Sequence, residues 1–230
     1  MLKNVLVFTG VILLGAIAWI WLQGGEEKTM VVSDLPWQIE VFPDGGSQVF
    51  SVHLGRTTLD EMSRHLDKAP EMALFVGANG PTDLEAWYGK TRVGVFDAKV
   101  VAHVAASEQQ LIAFELNAGD PDPMPSGSWR RDIGERDYAE VIMLPVDRIT
   151  YIPSVHYEID IAEKRFGKPA QIISVDELSD YWMYPEKGLV LMMNQEGKEV
   201  LQYVRPDQFD MLRQGILGEL SQKTQETPAT

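Results

Sequence analysis

Along this chain one long uncharged stretch, residues 5–22, is followed by short segments that switch between alternating and helical spacings of apolar residues. The stretch is eighteen residues long and is broken only by Thr9, Gly10 and Gly15, about the length with which a helix crosses a bilayer. Lys3 stands before it, and Glu26 and Glu27 follow it. The positive-inside bias therefore puts the short end in the cytoplasm and the rest outside. Ala16-Ile17-Ala18 has the small-x-small form of a secretory cleavage site, which leaves secretion to the periplasm after cleavage as an alternative. The apolar run continues through Trp19, Ile20, Trp21 and Leu22. Tryptophans suit a membrane-water boundary, so the pattern favours an uncleaved transmembrane anchor over residues 1–23. The expectation is a single-pass protein of a bacterial inner membrane with a periplasmic C-terminal domain.

Beyond a tether at residues 24–36, segments 37–42 and 48–54 alternate apolar and polar residues around Pro43-Asp44-Gly45-Gly46, which predicts a hairpin. Thr57 or Thr58 then caps a helix with Leu59, Met62 and Leu66 on one face, bounded by Pro70. Segments 87–96 and 99–105 read as a second hairpin turning at Asp97-Ala98, and Ser107 opens a helix through Leu111, Ile112 and Leu116. Residues 117–128 hold three prolines and two glycines, the composition of a linker, here placed at 117–131. Segments 138–144 and 148–152 read as strands, and Ile159, Ala162 and Phe166 share a helical face ending at Gly167-Lys168-Pro169. Matching elements recur at an offset of about one hundred residues: Leu59-Asp60 with Ile159-Asp160, Leu66 with Phe166, Lys68 with Lys168, and segment 100–104 with 200–204. The predicted fold class is α+β: an N-terminal transmembrane helix, then two similar modules, 37–116 and 132–220, each of short helices packed on an antiparallel sheet. The polar end, 221–230, reads as a disordered tail.

Two short motifs carry a family resemblance. Leu54-Gly55-Arg56-Thr57-Thr58-Leu59-Asp60-Glu61-Met62 resembles the helix start of the BamE/SmpA type of small envelope module. Arg165-Phe166-Gly167-Lys168-Pro169 resembles the segment that ends the helical part of that module before its sheet. Two such modules in tandem would look like the β-lactamase inhibitory protein architecture. The first copy has Leu66-Asp67-Lys68-Ala69-Pro70 where the pattern has glycine, and the second lacks the leading Gly-x-Thr. The resemblance implies an envelope-assembly role and carries over no binding residue.

Composition narrows the chemistry. A formal charge of -14 argues against nucleic acid, whose phosphates need concentrated Lys and Arg, and against a surface lying flat on anionic lipid. The absence of cysteine excludes disulfides, thiolate nucleophiles and Cys-ligated zinc. The four histidines, His53, His65, His103 and His156, stand in no nucleophile elbow or metal-ligand spacing, so they read as surface or packing residues. Gly77-Ala78-Asn79-Gly80-Pro81 lacks the lysine of a phosphate loop, and Asp120, Asp122 and Asp132 read as a solvated acidic loop. Neither catalysis, metal nor cofactor is expected.

Aromatic residues give the functional hint. Trp87-Tyr88 and Tyr181-Trp182-Met183-Tyr184 hold corresponding places in the two halves, and Trp129-Arg130-Arg131 places positive charge on an acidic background. Such residues are favoured at interfaces, although strands bury every second side chain in the ordinary way. The candidate binding residues are Trp87, Tyr88, Trp129, Arg130, Arg131, Tyr181, Trp182 and Tyr184. The leading reading is a non-catalytic protein-interaction or assembly module, anchored through residues 5–22, whose partner is an envelope or membrane protein. The alternative is a module binding a small apolar ligand or lipid in a pocket lined by Phe75, Trp87, Met192 and Met193.

Overall fold

The structure, a computed structural model, describes residues 32–77, 82–125 and 127–226. The transmembrane reading of residues 5–22 lies outside the described residues. Among these, no helix is long and apolar enough to cross a membrane. The transmembrane, single-pass and inner-membrane assignment, with the periplasmic placement that depended on it, is corrected to this extent: no helix among the described residues supports it. The longest described helix, at residues 209–226, interrupts its apolar positions with Asp210, Arg213 and Glu219, charges that are costly inside a bilayer.

Where local chemistry is strong, the chain folds as its residues predict. β1 (Glu40–Val41) and β2 (Ser47–Val49) pair antiparallel across Pro43-Asp44-Gly45-Gly46, with Gly45 at φ 79°, a conformation open to glycine at little cost. β3 (Val52–His53) returns along β2 through Phe50 and Ser51. α1 (Leu59–His65) starts at Thr58, which shares a capping box with Glu61. Ser107 and Gln110 repeat the device at α2 (Glu108–Asn117).

Among the described residues, ten strands form one antiparallel sheet. In chain order they are β4 (Glu71–Val76), β5 (Asp83–Val93), β6 (Phe96–Val104), β7 (Asp122–Pro123), β8 (Trp129–Asp132), β9 (Val146–Pro153), β10 (Gln171–Ser174), β11 (Ser179–Tyr184), β12 (Leu189–Asn194) and β13 (Val200–Val204). Their order across the sheet is β10-β11-β12-β13-β9-β6-β5-β4-β8-β7. Three further helices follow: α3 (Tyr138–Val141), α4 (Ile159–Phe166) and α5 (Phe209–Glu226). Segment 138–144, read as a strand, therefore opens as a helical turn. The turn between β5 and β6 falls at Gly94-Val95, and residues 117–131 supply β7 and most of β8 at the sheet's edge.

This single sheet overturns the fold class of two similar helix-on-sheet modules. β6 and β9, one from each half, pair in register from Ala98↔Pro153 to His103↔Arg148, with a shift before Val104↔Val146. Each half thus supplies an inner edge that a self-contained module would leave with unpaired N–H and C=O groups. The halves also differ in make-up, with three strands between α1 and α2 but four between α4 and α5. One face of the whole sheet joins a single core that runs from Leu59, Met62, Tyr88 and Phe114 to Phe166, Leu201 and Tyr203. The N-terminal hairpin packs on the far half: Phe50 stacks on Tyr151 at 4.8 Å between centroids, and the Tyr203 hydroxyl donates to the Pro36 carbonyl at 2.9 Å.

The opposite face is divided. Over β11–β13, Met183, Val190 and Val204 are covered by Phe209 and Ile216 of α5. Over β4, β5 and β8 the sheet itself forms the wall of a groove.

Candidate functional site

Strand alternation decides what that open face presents. The register sets Trp87 between Glu71 and Val101, Phe75 between Asp83 and Arg130, and Glu85 between Ala73 and His103. Phe75, Trp87, Met124 and Arg130, with Glu71 and Glu85, line a groove of about 380 Å³. Trp87 leaves 47% of its surface exposed there. It stands at a β-bulge, where the register shifts between Trp87 and Gly89. Gly89 has φ 58°, and a Cβ on it would lie 3.5 Å from the indole. The bulge thus turns the strand beneath the ring without crowding it.

Beside the groove the same face carries an ionic cluster. Nδ1 of His103 lies 3.0 Å from Asp83 Oδ2 and 3.7 Å from Glu85 Oε1. Nη2 of Arg148 lies 2.7 Å from Asp83 Oδ2 and 2.9 Å from His103 Nδ1. Guanidinium only donates, so His103 Nδ1 would accept from Arg148 with its lone pair or donate to Asp83 with a proton, and the two roles belong to different states of the ring. Nε2 faces the Thr150 hydroxyl at 3.3 Å. Burial raises the Asp83 carboxyl, but the hydrogen bond and charge of His103, with Arg148, outweigh it and hold it below the ordinary range. Glu85 is raised by burial, which the charge of His103 only partly offsets. Asp147, beside Arg148, is raised by burial in the same way.

Asp83, Glu85 and His103 could gather around a metal ion, with ligand atoms all within 4.8 Å of one another. Arg148 Nη2, however, occupies the space between Asp83 and His103, so the cluster already holds an internal cation. Thr150, His103 and Asp83 also follow the order of nucleophile, base and orienter. Thr150 lies within β9, whose neighbours β13 and β6 engage its backbone on both sides, so no pair of free amides stands beside it as an oxyanion hole would require.

Of the residues proposed from sequence, the groove brings together Trp87, Arg130 and Phe75. Arg130 is paired with Asp132 at 2.7 Å and with Glu71 at 3.8 Å. Trp129 is 44% exposed on β8 but points to the other side of the strand from Arg130. Arg131 is tied into the edge by the carbonyls of Gly119 and Ala118 and by Glu115. Tyr88 is core, its hydroxyl 2.8 Å from Ser63 Oγ. Trp182 and Tyr184 are core as well, the latter donating to the Gly167 carbonyl at 2.9 Å. Tyr181 packs under α5. Phe75 and Trp87 line one groove, Met193 lines another, and Met192 lies opposite Tyr181 on β12, so the four do not share a pocket. The ionic cluster escaped the sequence because its members lie on three strands. The available signal was the placement of Asp83, Glu85, His103 and Arg148 at alternating polar positions of otherwise apolar strands.

No protein-family model, no curated protein and no solved structure matches this chain.

Proposed function

We propose that this chain is a non-catalytic protein-binding module whose contact surface is the open sheet face around Trp87. The observation that carries the reading is a half-exposed indole set on a rigid bulge beside Phe75, Met124 and Arg130. Trp, Met and Arg are the residues enriched at interfaces, and a few such anchors supply most of the binding energy. Glu71 and Glu85 at the groove, on a chain of net charge -14, favour a partner that brings an apolar side chain flanked by basic ones. The resemblance of residues 54–62 to small envelope-assembly modules agrees with an assembly role.

The test places a photo-crosslinking amino acid at position 87 of the full-length chain in its native cells, with position 172 as control. Ile172 is also half-exposed, but on β10 at the far edge. A discrete protein adduct from position 87 and not from 172 is expected. The same adducts from both positions, or none from 87, would remove the reading. Trp87→Ala should abolish co-purification of that partner while leaving the thermal midpoint within about 2 °C, since exposed side chains contribute little to stability.

A further inference from the structure

We propose that the free edge of β10 pairs antiparallel with β10 of a second copy of this chain, with the two-fold axis passing at Ile173. β10 stands at the opposite end of the sheet from the strands of the Trp87 groove, and the inference does not depend on the protein-binding reading.

The two ends of the ten-stranded sheet are built differently. β7 closes one end with Asp122 and Pro123, preceded by Asp120 and Pro121. Charge and proline are ordinary means of keeping a further strand off an exposed edge. β10 closes the other end, and residues 170–175, AQIISV, carry neither. No described strand pairs with its outer side.

The ladder fixes which amides face outward. The Val175 amide donates to the Ser179 carbonyl at 2.9 Å, and β10 meets β11 in one register from Gln171↔Met183 to Ser174↔Asp180. Antiparallel bonding alternates along a strand. Gln171 and Ile173 therefore bond toward β11, while Ile172 and Ser174 present their N–H and C=O groups to the free side. Two such residues, two positions apart, are self-complementary. With the axis at Ile173, Ile172 of each copy exchanges both bonds with Ser174 of the other, and the two Ile173 side chains stand opposite one another.

The flanks fit a second copy as well. Ile172 is half-exposed opposite Trp182, and Ile159 and Leu178, both exposed, border the groove that Trp182 lines. On the other face Ile173 packs against the apolar cluster under α5, so the axis extends that layer from one copy into the next. Lys168 precedes β10, and the turn after it carries Asp176 and Glu177, all three exposed. Antiparallel pairing brings Lys168 of each copy to the Asp176-Glu177 turn of the other, an attraction made twice. Within one copy the two ends of β10 stand roughly 20 Å apart, too far for these charges to meet. The net charge of -14 on each copy opposes association, so this local complementarity decides it.

Sedimentation velocity of the full-length chain in mild detergent tests this. A reversible dimer with a Kd on the order of 10 µM is expected. Ile172→Pro removes an outward N–H and no bond to β11. It should abolish the dimer while leaving the thermal midpoint within about 2 °C, because proline is tolerated on an open edge. Lys168→Glu and Glu177→Lys should each weaken the dimer about tenfold. An equimolar mixture of those two variants should recover the wild-type Kd as a one-to-one pair, since each then meets the opposite charge on the other. Trp87→Ala should leave the Kd unaltered. A photo-crosslinker at position 172 should join two copies of the chain, an adduct distinct from the partner captured at 87. A monomer up to about 100 µM, a dimer that survives Ile172→Pro, or a mixture no tighter than either charge variant alone would overturn the proposal.

Discussion

Asp67 occupies the position where a helix end most favours glycine. The Lys68 amide donates to the Ser63 carbonyl at 3.0 Å and the Asp67 amide to Arg64 at 3.3 Å, the two bonds of a Schellman ending, while Asp67 itself sits at φ 48°. A left-handed non-glycine residue costs about 1 kcal/mol or more, so Asp67→Gly should raise the thermal midpoint by about 2–4 °C in a domain of this size. The sequence shows glycine missing there, yet the bonds that keep the ending intact are invisible in it. Phe50 and Ser51 are a stronger case, with φ of 52° and 59° in a hairpin turn that carries no glycine, asparagine or aspartate. Phe50 is 3% exposed, and burying such a ring gives about 2–3 kcal/mol, which offsets the turn. Packing therefore overrides turn chemistry, and no local pattern could announce it. The ionic cluster yields a pair of opposite predictions. Asp83 has a lowered carboxyl in the fold, so its contribution to stability is present above the ordinary aspartate value and lost as pH falls through the lowered one. Glu85 has a raised carboxyl, so its ionisation opposes folding above the raised value and ceases to matter below the ordinary glutamate value. Urea unfolding at about pH 7 should show Asp83→Asn destabilised and Glu85→Gln stabilised; on acidification the Glu85 difference should be gone by about pH 4, while the Asp83 difference should persist there and fade only at lower pH. Partial exposure of both groups limits the size of each difference.

At the scale of elements, capping boxes at Thr58 and Ser107 were legible because the partners lie three residues apart. Segment 138–144 was misread because its structure is fixed from a distance. The carbonyls of Ile142 and Leu144, just beyond α3, accept from the Asp60 and Leu59 amides at 2.8 Å and 3.0 Å. The free amides of one helix start thus meet the chain leaving another helix, a pairing more than eighty positions long that periodicity cannot register. The strand β5 was legible as apolar alternation, but its bulge was not, since Gly89 in sequence reads as a weak point rather than a device. Gly89→Ala should destabilise by about 1–2 kcal/mol through its positive φ. The methyl would make only ordinary contact with the Trp87 ring, so steric conflict should add nothing. Gly89→Asn should recover much of that loss, because Asn tolerates the left-handed region better. Equal loss in both variants, measured by chemical denaturation, would show that space rather than backbone conformation governs the site.

For the whole molecule, the deciding step is the meeting of β6 and β9. The approximate hundred-residue correspondence of α1 with α4 and of β6 with β13 is visible in sequence, but whether such halves make two sheets or one depends on which edges pair. Apolar alternation in β9 supplies Ile149 and Tyr151 to the same core as Val100 and Ala102 of β6, and closing that seam removes two exposed edges at once. The N-terminal hairpin then reaches across it to Tyr151 and Tyr203. A body built this way has no internal boundary at which one half can melt alone. Urea unfolding should therefore give one transition, with far-ultraviolet and near-ultraviolet dichroism coincident. Leu84→Ala, in the first half, and Leu201→Ala, in the second, each empty a fully buried site and should each cost roughly 2–5 kcal/mol. Both should displace the entire transition at both wavelengths. A two-step curve in which Leu84→Ala moved one step and Leu201→Ala the other would mean that the halves fold independently and that the β6–β9 pairing is incidental to stability.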